Sequence, residues 1–440
     1  MGTQAKKGDG YLGEKVRYFY RGKGSEDWKD LATYNLADDT GFHPLAVDPE
    51  ANLVYGLKRH SGRNALFSMA LDQGLETKLV FAHPEVDVDN VVRVGRHRRV
   101  VGATFATEKR EVVYFDKQVA AMQASLRKAL PDQPQSAVLD SSLDGSIMLL
   151  WAGSDVDPGN YYVFDRNAKR LNKILLARPE LQDLPLAPMK HVTVRASDGT
   201  MIPGYLTLPR GSEGKGLPSI VMPHGGPEAR DEWGFDWLVQ YYANRGFAVL
   251  QPNFRGSTGY GDSWFQNNGY KSWRIAVSDV VDAGRWLVAE GIADPSKLAV
   301  VGWSYGGYAA LQSNVLAPDL YKAVVAIAPV TDFKMKIEAS RGWSSYLLAR
   351  ERFGTGPHIR DGSPLQNVAA FKAPVLMFHG DYDRNVEVRQ SQLMADRLKE
   401  AGKKQELIIY PRIDHYIADS QLRADMLRRS DRFLRTSMGM

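Results

Sequence analysis

Gly302-Trp303-Ser304-Tyr305-Gly306-Gly307 sets a serine between glycines two positions before and two after it. The apolar run Leu298-Ala299-Val300-Val301 precedes this segment, and the helix-compatible Tyr308-Ala309-Ala310-Leu311-Gln312 follows it. Strand, tight turn and helix in that order make the setting of a nucleophile elbow. The serine there has a strained backbone, and a Cβ close to the turn would clash, so glycine is needed on both sides. The strain lifts Oγ above the sheet edge. The helix starts at the same point, so its unpaired N–H groups and the positive end of its dipole face the place where an oxyanion would form.

A serine hydroxyl is a weak nucleophile near neutral pH and needs a base within hydrogen-bond reach, usually a histidine oriented by a carboxylate. In hydrolases built on this kind of sheet the chain order is serine, then acid, then histidine. Downstream of Ser304 stand three histidines, His358, His379 and His415. His415 lies in Pro411-Arg412-Ile413-Asp414-His415, just past an apolar strand, where a base must stand. His379 opens His379-Gly380-Asp381-Tyr382-Asp383 and reads as the brace of a turn that presents an aspartate. His358, in a Gly-Pro loop, reads as a surface residue. The acid is Asp383 or Asp381. Asp383 is favoured because beyond the glycine turn the loop can fold back toward the histidine loop, while Asp381 reads as the cap of that turn. Asp414 neighbours His415 on an extended loop, points elsewhere and reads as solvated. Pro223-His224-Gly225-Gly226-Pro227 follows an earlier strand, and its two glycines let a backbone N–H approach a substrate as the second oxyanion donor.

The elements that must position these residues fall into two regions. Up to about residue 190 the chain reads as short strands divided by turns, among them Lys15–Tyr20, Leu31–Asn35, Leu53–Leu57, Ala65–Leu71, Val100–Phe105 and Ile147–Trp151. Lys15 to Asn35 reads as only two strands. One helix, Gln118 to Leu130, interrupts them. Leu45-Ala46-Val47-Asp48 before Leu53-Val54-Tyr55 resembles Ala137-Val138-Leu139-Asp140 before Ile147-Met148-Leu149, with Asp48 and Asp140 92 positions apart. That offset is two periods of about 46 residues, the size of a four-stranded propeller blade. The expectation is a partial β-propeller over residues 1–186, of about four blades with the first incomplete; a twisted β-sandwich without true repeats is the alternative. Past Leu184-Pro185-Leu186-Ala187-Pro188 a hairpin leads into alternating strands and helices, so residues 187–440 are expected to form a doubly wound, mostly parallel α/β-hydrolase sheet.

The composition narrows the classes further. The 440 residues carry 56 basic and 51 acidic side chains, a net +5 spread along the chain, and 44% are hydrophobic. The densest basic run, Arg93 to Arg110, lies between short apolar strands and reads as a solvated β-face, so a nucleic-acid partner is not expected. There is no cysteine, which excludes disulfides, thiolate catalysis and cysteine-ligated metal. No apolar run approaches the ~18 residues of a membrane span, and Met1-Gly2-Thr3-Gln4-Ala5-Lys6-Lys7 lacks a signal-peptide core. A cytoplasmic protein is expected, or a periplasmic one if the chain is an N-terminally truncated product.

His224-Gly225-Gly226-Pro227, Asn253-Phe254-Arg255-Gly256-Ser257-Thr258-Gly259-Tyr260-Gly261, the elbow, Ala328-Pro329-Val330-Thr331-Asp332, His379 to Val386 and the final His415 together resemble the prolyl oligopeptidase family of serine peptidases, in particular its acylaminoacyl-peptidase and bacterial dipeptidyl-peptidase-like branch. The resemblance covers about residues 190 to 437. It implies a Ser304, Asp383 and His415 triad, oxyanion donors at the backbone N–H of Tyr305 and Gly226, and an apolar specificity pocket near Val330, Phe333 and Val386. Asn385 would reach the carbonyl of the preceding substrate residue, with Trp343 as a looser contact. It further implies hydrolysis of short peptides without cofactor or metal, or of small acyl esters in a carboxylesterase variant. A propeller module with an inactive hydrolase domain is a remoter alternative. Family members carry a complete propeller; this chain has room for about half of one, and its exposed edges would favour pairing into a homo-oligomer.

Overall fold

The computed structural model describes residues 1–8, 11–22, 24–71 and 74–440. They form two compact units. The first is Met1–Leu186 together with Glu232–Asp236 and Gly259–Ser263; the second is Ala187–Asp231, Trp237–Thr258 and Trp264–Met440. Two short loop segments from the C-terminal half of the chain thus group with the first unit.

The first unit is a series of antiparallel sheets, each laid down in chain order. β1 (Gly2–Gly8), β2 (Tyr11–Tyr20), β3 (Lys29–Asn35) and β4 (Thr40–Gly41) make the first. β5 (His43–Asp48), β6 (Leu53–His60), β7 (Arg63–Ala70) and β8 (Thr77–Phe81) make the second. β9 (Val88–Val94), β10 (Arg99–Ala106) and β11 (Arg110–Tyr114) make a three-stranded third. β12 (Gln135–Ser141), β13 (Ile147–Gly153), β14 (Asn160–Asp165) and β15 (Arg170–Leu176) make the fourth. The expectation of an incomplete first sheet is corrected: β1 and β4 flank the two strands seen in the sequence, and the third sheet is the short one. β1 is rich in Gly, Gln and Lys and β4 is two residues long, so neither carries the apolar alternation that marks a half-buried strand.

Consecutive sheets share apolar clusters. Tyr18 and Leu31 pack with Val54, Phe67 and Met69 of the second sheet. Ala46 and Leu66 pack with Val88, Val100 and Ala103 of the third. The fourth sheet closes on the helix Lys117–Ala129 through Leu126, Met148, Leu150 and Tyr162. The two repeat-like segments occupy equivalent places, the hairpins β5/β6 and β12/β13 that open the second and fourth sheets.

The second unit is built on one eight-stranded sheet of order β16-β17-β19-β18-β20-β21-β22-β23. Its strands are β16 (Met189–Arg195), β17 (Met201–Thr207), β18 (Leu217–Val221), β19 (Ala248–Pro252), β20 (Ala293–Trp303), β21 (Ala323–Ile327), β22 (Val375–Gly380) and β23 (Gln405–Tyr410). β17 runs antiparallel to β16 and β19, and every other pair is parallel. Successive strand residues point to opposite faces, and here both faces are dry. Val300, Val324 and Ala326 pack under the helices Trp273–Ala289, Tyr305–Leu316 and Arg389–Glu400, while Val301, Val325 and Ile327 pack under Trp237–Asn244 and Ser420–Ser437. A continuous Val/Ala/Ile run is what a strand covered on both sides requires. The unit is therefore a doubly wound α/β-hydrolase sheet preceded by an N-terminal β region. Among the described residues no helix is long and apolar enough to cross a membrane.

A buried ion pair fixes the loop that leaves β19. Asp279, fully buried on the helix Trp273–Ala289, accepts from the Arg255 N–H at 2.8 Å and from its Nη2 at 2.6 Å. Burial pushes the Asp279 carboxyl above its usual range, against the pull of the guanidinium. Arg255 also reaches Asp198 in the β16/β17 turn at 2.6 Å. Breaking such a pair from one side leaves a desolvated charge without a partner, which costs about 3–5 kcal/mol. Arg255→Leu is accordingly expected to lower the unfolding free energy in urea by about that amount. A loss under about 1 kcal/mol, the scale of an exposed pair, would contradict this account.

Candidate active site

The elbow is closed by backbone contacts that only glycine allows. A Cβ on Gly306 would stand 2.1 Å from the Pro223 carbonyl oxygen, and one on Gly302 would stand 2.1 Å from that of Gly306. Ser304 itself has φ 58° and ψ −118°, a conformation costly for a residue with a side chain. Its N–H donates to the Ile327 carbonyl at 2.8 Å, anchoring the turn to β21. Tyr305 is the first residue of the helix, so its N–H has no intrahelical acceptor.

The loop 223–227 lies against this turn, with Gly225 close enough that a Cβ would meet the Trp303 carbonyl at 3.2 Å. His224 shapes the loop. Its Nδ1 lies 2.7 Å from the Gly225 carbonyl oxygen, its Nε2 lies 2.8 Å from Ser257 Oγ, and its ring stacks on Phe254 at 4.3 Å. A carbonyl accepts only, so Nδ1 carries the proton toward Gly225, while Ser257 Oγ lies between Nε2 and the Phe254 carbonyl, 2.6 Å away. Burial pushes the His224 pKa down to about 4, so the ring is neutral at neutral pH. The carbonyl and N–H of one trans peptide point opposite ways. Holding the Gly225 carbonyl toward His224 thus turns the Gly226 N–H away from it.

Asp383 and His415 arrive from adjacent strand ends. β22 and β23 are paired in parallel through Gly380 and Tyr410, and the loops beyond them press together. A Cβ on Gly380 would meet the Ile413 carbonyl oxygen at 2.2 Å, and the Tyr382 N–H donates to that same oxygen at 2.9 Å. Asp383 Oδ2 lies 2.6 Å from His415 Nδ1 and 3.2 Å from His379 Nε2. Its Oδ1 accepts from the N–H groups of Asn385 and Val386, each at 2.8 Å. Burial alone would raise this carboxyl, but the hydrogen bonds from His379, His415 and Val386 outweigh it and hold the group well below the usual carboxylate range. His379 is fully buried, with Nε2 at 2.8 Å from the Val386 carbonyl and Nδ1 at 2.7 Å from Ser391 Oγ. It is therefore tied into the turn.

Asp381 is exposed and accepts from the Arg412 N–H, while Asp383 itself closes the 383–386 turn, the role the sequence suggested for Asp381. Asp414 is exposed and accepts from the Tyr416 N–H at 3.1 Å. His358 is half-buried, with Nε2 2.7 Å from the Phe353 carbonyl oxygen.

Ser304, Asp383 and His415 line one cleft of about 1320 Å³, with Gly226, Val330, Trp343, Asn385 and Val386. Phe333 does not line it. That residue starts the helix Phe333–Ala339 and is fully buried behind Tyr270, with ring centroids 5.4 Å apart. Tyr270 forms the wall instead. The sequence reading also missed Lys336, Arg352, Trp237, Tyr416 and Arg423, which are among the other lining residues. Lys336 Nζ donates to the Asn385 carbonyl at 2.5 Å, and burial lowers its pKa. Burial likewise pushes the Arg352 guanidinium down to about 10, and this side chain pairs with Glu228. Tyr416 adjoins His415 and could have been found by that position alone; the others come from segments without a motif. Among the described residues no group of three or more His, Asp or Glu side chains is arranged to hold a metal.

The family model described as the prolyl oligopeptidase family matches residues 233–440. Residues 233–440 of the chain are thus similar to the prolyl oligopeptidase family. Among curated relatives, dipeptidyl aminopeptidase BIII of Pseudoxanthomonas mexicana is 30% identical over 81% of this chain and 54% of its own length. The human acylamino-acid-releasing enzyme is 28% identical over 51% of this chain and 32% of its own. The chain thus spans about half of the first relative and a third of the second. A puromycin-hydrolyzing peptidase of Mycobacterium tuberculosis has a similar fold at TM-score 0.79 and 19% identity, matching 100% of this chain and 68% of that one. An acylaminoacyl peptidase solved with Z-Gly-Gly-Phe-chloromethyl ketone aligns at TM-score 0.67 and 19% identity, over 97% of this chain and 68% of that one.

His224 has a pH signature. Its pKa is about 6.5 in an unfolded chain and about 4 in the fold. Between those values the unfolded chain binds a proton that the fold refuses, so this group's stabilisation is complete above about pH 6.5 and is lost as pH falls through about 4. His224→Asn keeps a donor toward Gly225 and removes the titration. Urea midpoints measured from pH 7 to 4 should fall less steeply for the variant; parallel curves would contradict a neutral buried His224.

Proposed function

We propose that this chain is a serine peptidase acting on short peptides through an acyl-enzyme intermediate. The observation that carries the reading is the buried Asp383 Oδ2 to His415 Nδ1 contact of 2.6 Å in the same cleft as the strained Ser304. A carboxylate bonded at Nδ1 fixes the tautomer in which Nε2 is the free base. His415 Nε2 takes the Ser304 proton as Oγ bonds the scissile carbonyl carbon. The carbonyl π pair moves onto oxygen, between the N–H groups of Tyr305 and Gly226. As the C–N bond breaks, its electron pair stays on nitrogen, which takes the proton from His415. Water then repeats the sequence on the ester. The scheme uses neither metal nor cofactor.

Val330, Val386 and the Tyr270 ring make an apolar wall suited to an apolar or aromatic side chain on the acyl side. Asn385 and Trp343 stand at the same cleft as further contacts. We also propose that the four sheets of the first unit are blades of an incomplete propeller over residues 1–186, ahead of a catalytic region 187–440. The shared clusters between the first three sheets and the 92-residue spacing of Asp48 and Asp140 support this.

Ser304→Ala should lower kcat by several orders of magnitude with the fold retained, and a fluorophosphonate probe should label Ser304. Labelling elsewhere would overturn the assignment.

Asp383→Asn should cost about 10⁴-fold in kcat, the scale of a triad histidine held in the wrong tautomer. Asp381→Asn should act on stability; the reverse pattern would make Asp381 the acid. A panel of peptide p-nitroanilides and p-nitrophenyl esters with Phe, Leu or Ala at the acyl position separates peptidase from esterase, because only the amide requires its leaving nitrogen to be protonated. Ester turnover without any amide turnover would assign a carboxylesterase.

A further inference from the structure

Part of the cleft is built round the His415 loop. Trp303 Nε1 donates to the His415 carbonyl at 3.0 Å, and the Trp237 ring meets Trp303 edge-on at 6.4 Å. Arg423 lies over Trp237 with its guanidinium carbon 4.8 Å from the ring centroid. Its Nε donates to the Ile417 carbonyl at 2.7 Å and its Nη2 to the Tyr416 carbonyl at 3.2 Å. These bonds hold the guanidinium in one place, and Nη1 is not engaged by either. Among the described residues no carboxylate lies within ion-pair distance of Arg423. A fixed guanidinium in a substrate cleft, stacked on an aromatic ring and lacking an internal counter-charge, is a carboxylate receptor.

Its position says whose carboxylate. The group that protonates the leaving amine must stand beside that amine. In the proposed reaction this group is His415, so residues held by the 415–417 backbone flank the leaving half of the substrate. We infer that Arg423 binds the free C-terminal carboxylate of a short leaving peptide, with Trp237, Trp303 and Tyr416 as the apolar floor beneath its side chains. The protein then favours substrates cut a short distance from their own C-terminus. This rests on the peptidase reading above.

The test compares three substrates with one acyl part: a peptide ending in a free acid, the same peptide ending in a carboxamide, and a p-nitroanilide with no residue beyond the scissile bond. Wild-type kcat/KM should be about tenfold or more higher for the acid than for the amide, the scale of a charge-assisted hydrogen bond. Added salt should shrink that ratio. Arg423→Gln should bring it close to one, lowering turnover of the acid far more than that of the anilide, and Arg423→Lys should restore part of it. Equal acid and amide rates in the wild type, or an unchanged ratio in Arg423→Gln, would overturn the inference. The wild-type comparison needs no variant to fold. Cleavage of the anilide without acid preference sinks the Arg423 assignment alone, whereas no amide cleavage in any substrate sinks the peptidase reading with it.

Discussion

A buried carboxylate is tolerable only when nearly every lone pair has a donor, and Asp383 sets that demand on the second unit. Its donors are two backbone N–H groups of its own turn and two histidines, one on β22 and one on the loop after β23. Local turn geometry alone would satisfy one oxygen only. The other needs the loops beyond two neighbouring strands to meet, which parallel pairing of β22 and β23 provides and which a side chain at Gly380 would prevent. His379 serves the charge without reaching the cleft, because Nε2 is taken up inside the turn and Nδ1 by Ser391 on the helix that follows. His415 Nδ1 is spent on the same oxygen, which leaves Nε2 as the nitrogen that can act.

The elbow meets a different demand, backbone strain, and the same sheet answers it. Ser304 sits at a positive φ because β20, the helix after it and the 223–227 loop are packed too closely to let the turn relax. That closeness depends on strands with dry faces on both sides, where Val300 and Val301 are each fully buried against helices. The loop that carries Gly226 is then oriented by a neutral histidine. Charge at His224 would bury a cation near Arg230 with no carboxylate among the described residues to pair it. Burial keeps the ring neutral and the peptide in place.

What could be read in the sequence follows from how local each cause is. The elbow, the two-glycine loop and the His379 to Asp383 turn are set by residues within a few positions of each other, and their places emerge from short segments. The mostly parallel, doubly covered sheet emerges from alternating strands and helices. The outer strands β1, β4 and β15 were not legible, because edge strands held by a backbone ladder need no apolar alternation. Phe333 shows the limit on the site itself. It belongs to the right segment, but Asp332 caps the helix that starts there and directs the ring into the core, and Tyr270, some sixty positions earlier in the chain, fills the wall. Arg352 and Arg423 carry no motif at all. Only the fold gathers them.

The cleft that results has an uneven charge. The carboxylates lining it are Asp383 and Glu387; the cations are Lys336, Arg352, Arg384 and Arg423. Asp383 is consumed by its histidines, and Glu387 faces Lys336, whose ammonium is already tied to the Asn385 carbonyl. Arg352 is paired with Glu228. What remains is positive. A cleft with a positive field attracts carboxylates and disfavours a protonated amine. In the proposed peptidase, the residues of this unit are therefore poorly suited to hold the free amino end of a substrate and well suited to hold its carboxyl end, so a requirement for a free amino terminus would have to be met by acidic groups outside this lining.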